Sequence, residues 1–224
     1  MLLTPPQAEP EPAARRGRRK QARPGELLEA ALDLFVEKGY AATRVEEIAA
    51  RAGVSKGTLF LYFSSKEELF KAVVADAIAV HLDSWKQEVL AFEGSSSALL
   101  TRCLRTWADR MILTKASGIT KLMFSEAQNF PEAARYYEQE VIVPGKAMLR
   151  HVLERGVASG EFAIPDIEAA LPAVIAPMIF LALHRHSLGQ VCTGGPLDPG
   201  AYLDGQLHAL LHGFRARDRQ EPAR

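Results

Sequence analysis

The capping residues and glycines between Gly39 and Glu68 constrain this chain more than any other stretch of it. Thr43 is followed three residues later by Glu46, and Ser65 by Glu68. A hydroxyl residue with an acid at the third position beyond it can exchange hydrogen bonds with the backbone of a helix start, so each pair predicts an N-terminus. Ser55 offers a third N-cap. Gly39 and Gly53 stand where a helix end calls for positive φ, which glycine adopts without strain. Four helices are framed in this way: residues 24–38, residues 43–52, a short one opened by Ser55, and one opened by Ser65.

The apolar positions agree with these frames. Leu27, Leu28, Ala31, Leu34 and Phe35 recur at three- and four-residue spacing in the first helix, and Val45, Ile48, Ala49 and Ala52 in the second. In the fourth, Leu69, Phe70, Val73, Val74, Ala77 and Ile78 carry an apolar stripe on toward His81 and Trp85. Three short helices with a tight glycine-containing turn between the second and third make a helix-turn-helix. Ala49 is small enough for close helix approach, Gly53 permits the turn and Val54 fills the space beneath it. The third helix then exposes Lys56, Gly57, Thr58 and Tyr62, which are short or hydrogen-bonding. Such residues near a helix start can read base edges in a major groove. Leu59, Phe63 and Leu69 are assigned to the core. Residues 24–71 are thus read as a helix-turn-helix DNA-binding domain.

The run GYAATRVEEIAARAGVSKGTLFLYFSSKEELF closely resembles the TetR/AcrR family of bacterial regulators. The matching positions are Gly39-Tyr40, Thr43, Ile48-Ala49, Ala52-Gly53-Val54-Ser55, Gly57-Thr58-Leu59, Tyr62-Phe63 and Lys66-Glu67-Glu68-Leu69. The resemblance is sharp over residues 24–75 and elsewhere extends only to length and helical character. It implies that Thr43 and Ser55 hold DNA phosphates from two helix starts, through a hydroxyl or a backbone N–H. It also implies that Lys56, Gly57 and Thr58 lie against base edges while Tyr62 and Lys66 grip phosphates. Two positions depart from the family pattern. Phe60 stands where the family usually has tyrosine, which removes one hydroxyl contact to the DNA backbone. Arg44 stands where a small hydroxyl residue is common, and is a candidate for a compensating contact.

Composition adds a charge asymmetry. The chain has no formal net charge, yet the stretch from Arg15 to Lys66 carries eleven basic against six acidic residues. A basic N-terminal part on an acidic body fits a polyanion-binding module. Residues 1–23 are rich in Pro, Ala and Glu and end in a basic arm, and are expected to be disordered. Arg15, Arg16, Arg18, Arg19 and Lys20 of this arm could enter a narrow minor groove, as basic extensions do in some family members, or attract phosphates without reading sequence. No signal-peptide core precedes them. Cys103 and Cys192 are too few for a disulfide framework, and the apolar stretch 171–183 is too short to cross a bilayer. A soluble, cytoplasmic protein is expected.

Chemistry-bearing constellations are scarce. His208 and His212 have a metal-capable spacing, but HALLH lacks the glutamate of a zincin, so a solvent-facing pair is expected. No nucleophile elbow, phosphate loop or dinucleotide fingerprint is present. The chain is therefore read as not an enzyme, with no cofactor and no metal.

The fold class expected is all-α: an N-terminal three-helix helix-turn-helix domain joined to a larger helical effector-binding and dimerisation domain at residues 72–214, with a frayed tail at 215–224. The sixth helix is placed near 119–129, and the seventh from Pro131 to about Gly160 with a break around Pro144-Gly145. By the family resemblance, residues 166–188 and 199–214 pair two copies into a homodimer, which lets two short recognition helices read a palindromic operator about one DNA turn apart. Pro177 predicts a kink in the first of these. Trp85, Trp107, Met111, Met123, Phe124 and Phe180 are either plain core or the lining of an apolar pocket, with His81, Arg110, Gln128 and His184 as its candidate polar groups. The effector implied is small and hydrophobic or aromatic. Its binding would pivot the fourth helix and release a repressor from DNA. The same domain would equally serve an activator or an effector-independent regulator, and a scaffold protein that no longer binds DNA is a further rival.

Overall fold

A computed structural model describes residues 24–191 and 193–215 of the chain. The basic arm, the rest of residues 1–23, Cys192 and residues 216–224 lie outside the described residues. Among those described, the fold is helical throughout apart from an isolated bridge between Phe162 and Arg215.

Four helices come first: α1 (Pro24–Lys38), α2 (Val45–Arg51), α3 (Lys56–Phe60) and α4 (Lys66–Val74). Leu27, Ala31, Leu34 and Phe35 of α1 bury against Ile48 and Ala49 of α2, Leu59 of α3 and Leu69 and Phe70 of α4. Ser55 accepts from Thr58 N–H at 3.1 Å, and Ser65 accepts from Glu68 N–H at 3.1 Å, so both caps form. Gly39 and Gly53 take φ of 85° and 72°, as the turns after α1 and α2 demand.

The start of α2 departs from expectation by one residue. Arg44, not Thr43, is the N-cap, and its N–H donates to Glu47 Oε2 at 3.3 Å. Thr43 is 1% exposed and its hydroxyl turns back onto α1, donating to Gly39 O at 2.7 Å and Leu34 O at 3.1 Å. Closing the end of α1 left buried carbonyls in need of a donor, and Thr43 supplies it.

The body follows as α5 (Val80–Leu90), α6 (Ser96–Trp107), α7 (Ser117–Glu126), α8 (Pro131–Tyr137), α9 (Val143–Ala158), α10 (Ile167–Arg185) and α11 (Pro199–Phe214). Three wide π-helical turns interrupt these rods: Ala75–Ala79 joins α4 to α5, Ala108–Ile112 extends α6, and Glu138–Ile142 joins α8 to α9. The expected break at Pro144 is instead the last of these turns running on into α9. Proline has no N–H for the carbonyl four residues earlier, and a wider turn accommodates the lost rung without ending the helix.

The 19 residues of α10 have the length and hydropathy of a membrane span, although the apolar stretch 171–183 within it is too short for one. Its Leu171, Val174, Met178, Leu181 and Ala182 instead face the protein core. Both prolines lie inside a helix that continues past them. Gln206 Nε2 of α11 donates to Val174 O at 2.8 Å, next to the Ala173 carbonyl that loses its rung to Pro177, and Tyr202 OH donates to Pro177 O at 3.0 Å.

Candidate DNA-binding face and effector cavity

The first four helices present one polar face. Arg44, Ser55, Lys56 and Gly57 are exposed, Thr58 is half-buried, and Tyr62 is 44% exposed. Ser55 Oγ and Thr58 Oγ1 lie 2.9 Å apart, so one hydroxyl of the pair caps α3 while the other stays available at its start. Phe60 is 41% exposed and lies beneath the Lys56 ammonium, 5.6 Å from ring centroid to Nζ, so it belongs to this face. Leu61, which the sequence reading passed over, is 83% exposed beside Tyr62. Its place in the turn after α3, outside any apolar stripe, was the available signal.

Two residues expected to meet phosphates are engaged internally. Thr43 is buried as described. Lys66 turns its ammonium toward the end of α1, donating to Tyr40 O at 2.8 Å, Thr43 O at 3.1 Å and Ala41 O at 3.4 Å, above the Tyr40 ring. Burial lowers its pKa. Lys66 therefore closes the loop between α1 and α2, a task that its sequence neighbours do not reveal.

The module's other cations are partly neutralised by its own acids. Lys56 pairs with Glu46 at 2.6 Å, Lys38 with Glu47 at 2.8 Å, and Arg51 with Glu37 through two bonds of 2.7 and 2.8 Å. The bond from Lys56 holds the Glu46 carboxyl below its ordinary pKa. Among the described residues of this face, Arg44 is in no ion pair, and the Lys66 ammonium meets carbonyls alone.

Behind this module lies a partly open cavity in the body, of about 80 Å³. Trp85, Trp107 and Met111 line it, as the sequence reading allowed. Leu82, Val141, Ile142, Leu149, Ile175 and Ile179 complete its apolar walls, and Thr120, Tyr137 and Lys146 bring polar atoms. Lys146 Nζ is drawn to Glu168 Oε2 at 3.1 Å, and Arg150 holds the other oxygen at 2.5 Å. These bonds, the one from Arg150 first, lower the Glu168 carboxyl to about 2.

Phe124, Phe180 and His184 do not line the cavity. α7 buries Ile119, Leu122 and Met123, which rotates Phe124 out to 61% exposure and keeps Met123 in the core. Phe180 lies off the buried face of α10, is 49% exposed, and stacks on Tyr202 with centroids 6.2 Å apart. His184 packs against Gly189, with a buried Nδ1 that has no hydrogen-bond partner. Of the other polar candidates, His81 and Arg110 line a separate groove between α1 and the body, and Gln128 is exposed.

One helix touches both regions. Thr120 of α7 is in the cavity wall. Gly118, two residues earlier, seats so closely on α1 that a Cβ there would lie 2.4 Å from Val36 Cγ2. Lys115 pairs with Asp33 of α1 at 2.6 Å, and Phe130 packs edge-on to Tyr40 at 4.5 Å. At the first residue of α7, Ser117 Oγ bonds Ile112 O and Thr114 O, each at 2.9 Å, and lies 2.8 Å from His186 Nε2. With the single Ser117 proton turned to a carbonyl, a His186 ring protonated on Nε2 donates to Ser117.

Comparison with known proteins agrees with this two-part organisation. Residues 27–73 match the model of bacterial regulatory proteins of the tetR family, and residues 93–190 match a tetracyclin repressor-like C-terminal domain. Over 62 residues the chain is 53% identical to the HTH-type transcriptional activator FasR of Mycolicibacterium smegmatis, a match covering 27% of this chain and 28% of that protein. It is 27% identical over 158 residues to the HTH-type transcriptional regulator YdeS of Bacillus subtilis, covering 70% of this chain and 76% of YdeS. The crystal structure of the TetR family regulator PfmR from Thermus thermophilus superposes with a TM-score of 0.67 at 26% identity, over 84% of this chain and 97% of PfmR. With both of its parts accounted for, the chain belongs to the TetR family of bacterial transcriptional regulators.

Proposed function

We propose that this chain is a repressor that binds a palindromic operator as a homodimer and leaves it when a small apolar effector fills the cavity lined by Trp85, Trp107 and Met111. The observation that carries this reading is the double engagement of α7, whose Thr120 borders the cavity while its Gly118 seats on Val36 of α1. A ligand that displaces α7 moves α1, and with it the recognition helix α3. The continuous path from α4 through the π turn into α5, which carries Leu82 and Trp85, offers a second lever. An effector shifts the equilibrium only by its differential affinity for the two states, so the DNA-competent form is the one with the smaller cavity.

On the DNA face, Arg44, Ser55, Lys56, Gly57, Thr58 and Tyr62 are the contact residues, with Thr43 limited to its backbone and Lys66 to positioning. Pairing of two copies is supported by the outer face of α10, where Pro172, Ala173, Ala176 and Phe180 are exposed beside Ala201, Gly205 and Ala209 of α11. Such a face stays in water only at a cost that a second copy removes. This reading puts the working protein in the cytoplasm, with its DNA.

The test is a gel shift of the upstream region of the protein's own gene, repeated with apolar compounds chosen because they change tryptophan fluorescence. Release of DNA by such a compound supports the reading; unchanged operator binding under every such compound refutes it. The name of FasR favours weighing an activator, and transcription in vitro from the same fragment separates the two by the sign of its response.

A further inference from the structure

Apart from Lys146, the cavity is apolar except at one pair of hydroxyls, and that pair identifies a chemical class of effector. Thr120 of α7 and Tyr137 at the end of α8 place their hydroxyls 3.1 Å apart in the cavity wall, and the two residues are 4% and 5% exposed. Two hydroxyls bring two protons. The bond between them uses one, and among the described residues no acceptor takes the other. A buried O–H without an acceptor is costly, so such groups ordinarily have a partner. Burial raises the Tyr137 pKa and keeps the phenol protonated, a donor at neutral pH. The pair thus offers one free proton and free lone pairs toward a space whose remaining walls, Lys146 apart, are apolar.

The charge on offer is different. The Lys146 ammonium is held by Glu168, which Arg150 also binds. A carboxylate at the hydroxyl pair would find one donor and no uncommitted cation, which is a poor exchange for its hydration. We propose that the effector is an apolar molecule carrying a neutral oxygen, a hydroxyl or a carbonyl, which hydrogen-bonds to the Thr120–Tyr137 pair. The proposal rests on the cavity being the effector site.

The chain has two tryptophans, Trp85 and Trp107, and both line the cavity, so intrinsic fluorescence reports its occupancy. The full chain is titrated with limonene, carveol, carvone and perillate, which share a ten-carbon skeleton and carry no oxygen, a hydroxyl, a carbonyl and a carboxylate. Carveol and carvone are expected to bind about tenfold tighter than limonene and perillate, the ratio one good hydrogen bond supplies. Tyr137→Phe and Thr120→Val each conserve shape. Each is expected to reduce that preference, and the double variant to abolish it, with the thermal melt still cooperative. Equal binding of limonene and carveol, or a preference that survives in the double variant, overturns the proposal while leaving the cavity as a binding site. Perillate binding tightest overturns it in favour of an anionic effector. No fluorescence change with any of the four removes the cavity reading itself, and this proposal with it.

Discussion

Replacing Gly118 by alanine tests the contact through which the body and the DNA-binding module meet. The new Cβ would lie 2.4 Å from Val36 Cγ2, 2.7 Å from Cγ1 and 3.1 Å from Cβ. Carbon atoms in contact prefer about 3.5–4.0 Å, so α1 and α7 must part by about 1 Å or Val36 must turn. A β-branched residue in a helix has little rotamer freedom to give. Overpacking of this kind costs about 1–3 kcal/mol. Alanine recovers about 1 kcal/mol of helix propensity within α7, which leaves a net loss of up to about 2 kcal/mol. Val36→Ala removes the two clashing methyls and leaves only the Cβ at 3.1 Å, which a shift of a few tenths of an ångström relieves, so on that background Gly118→Ala keeps most of the propensity gain and stabilises by less than about 1 kcal/mol. The sign of the effect therefore reverses, with a coupling energy of about 2 kcal/mol. Urea unfolding of the four proteins measures this, and DNA titration of the same set shows whether the spread seat weakens operator binding. A Gly118→Ala effect of the same sign and size in both backgrounds would refute the reasoning.

Further outcomes follow from other contacts. Lys66→Met leaves three loop carbonyls without their donor and is expected to cost about 2 kcal/mol in urea unfolding, while the salt slope of DNA binding stays that of the parent. A slope reduced by about one would restore Lys66 to the phosphate contacts. Glu46→Gln releases Lys56 and removes a negative charge from the DNA face, so DNA binding at low salt should tighten about two- to threefold; weaker binding would show that the pair orients Lys56 instead. His186 has its pKa lowered by burial, then by Arg185 and Lys121. A depressed base is neutral in the folded state, so its contribution to stability is complete above its ordinary value near 6.5 and is lost as pH falls through the folded value. The melting temperature of His186→Gln should fall less than that of the parent between pH 7 and pH 5, and parallel curves would remove His186 from the acid response.

The parts of the fold that sequence made legible are those set by neighbours in the chain. Ser55 and Ser65 cap helices whose first N–H groups lie three residues away, and Gly39 and Gly53 end helices through their own φ. Thr43 and Lys66 looked equally local and were not. The hydroxyl of Thr43 answers a carbonyl at Leu34, and the ammonium of Lys66 answers carbonyls 23 to 26 residues back. The cavity was legible only in part for a related reason. Trp85, Trp107 and Met111 were found by their size and softness, but the π turns change which residues of a helix face inward. Val141 and Ile142 reach the cavity from one such turn, and a regular period across Pro144 does not predict that. Phe124 and Phe180 were chosen by type, and the phase of α7 and α10 turns them outward.

The most direct test of the central claim is fluorescence anisotropy of a labelled fragment from upstream of the protein's own gene, titrated with the full chain over a range of salt. The account predicts saturation at two protomers per site, with affinity falling steeply and log-linearly as salt rises, and a loss of affinity in Lys56→Ala and Tyr62→Phe. Absence of binding even at low salt, or saturation by a single protomer, would contradict it.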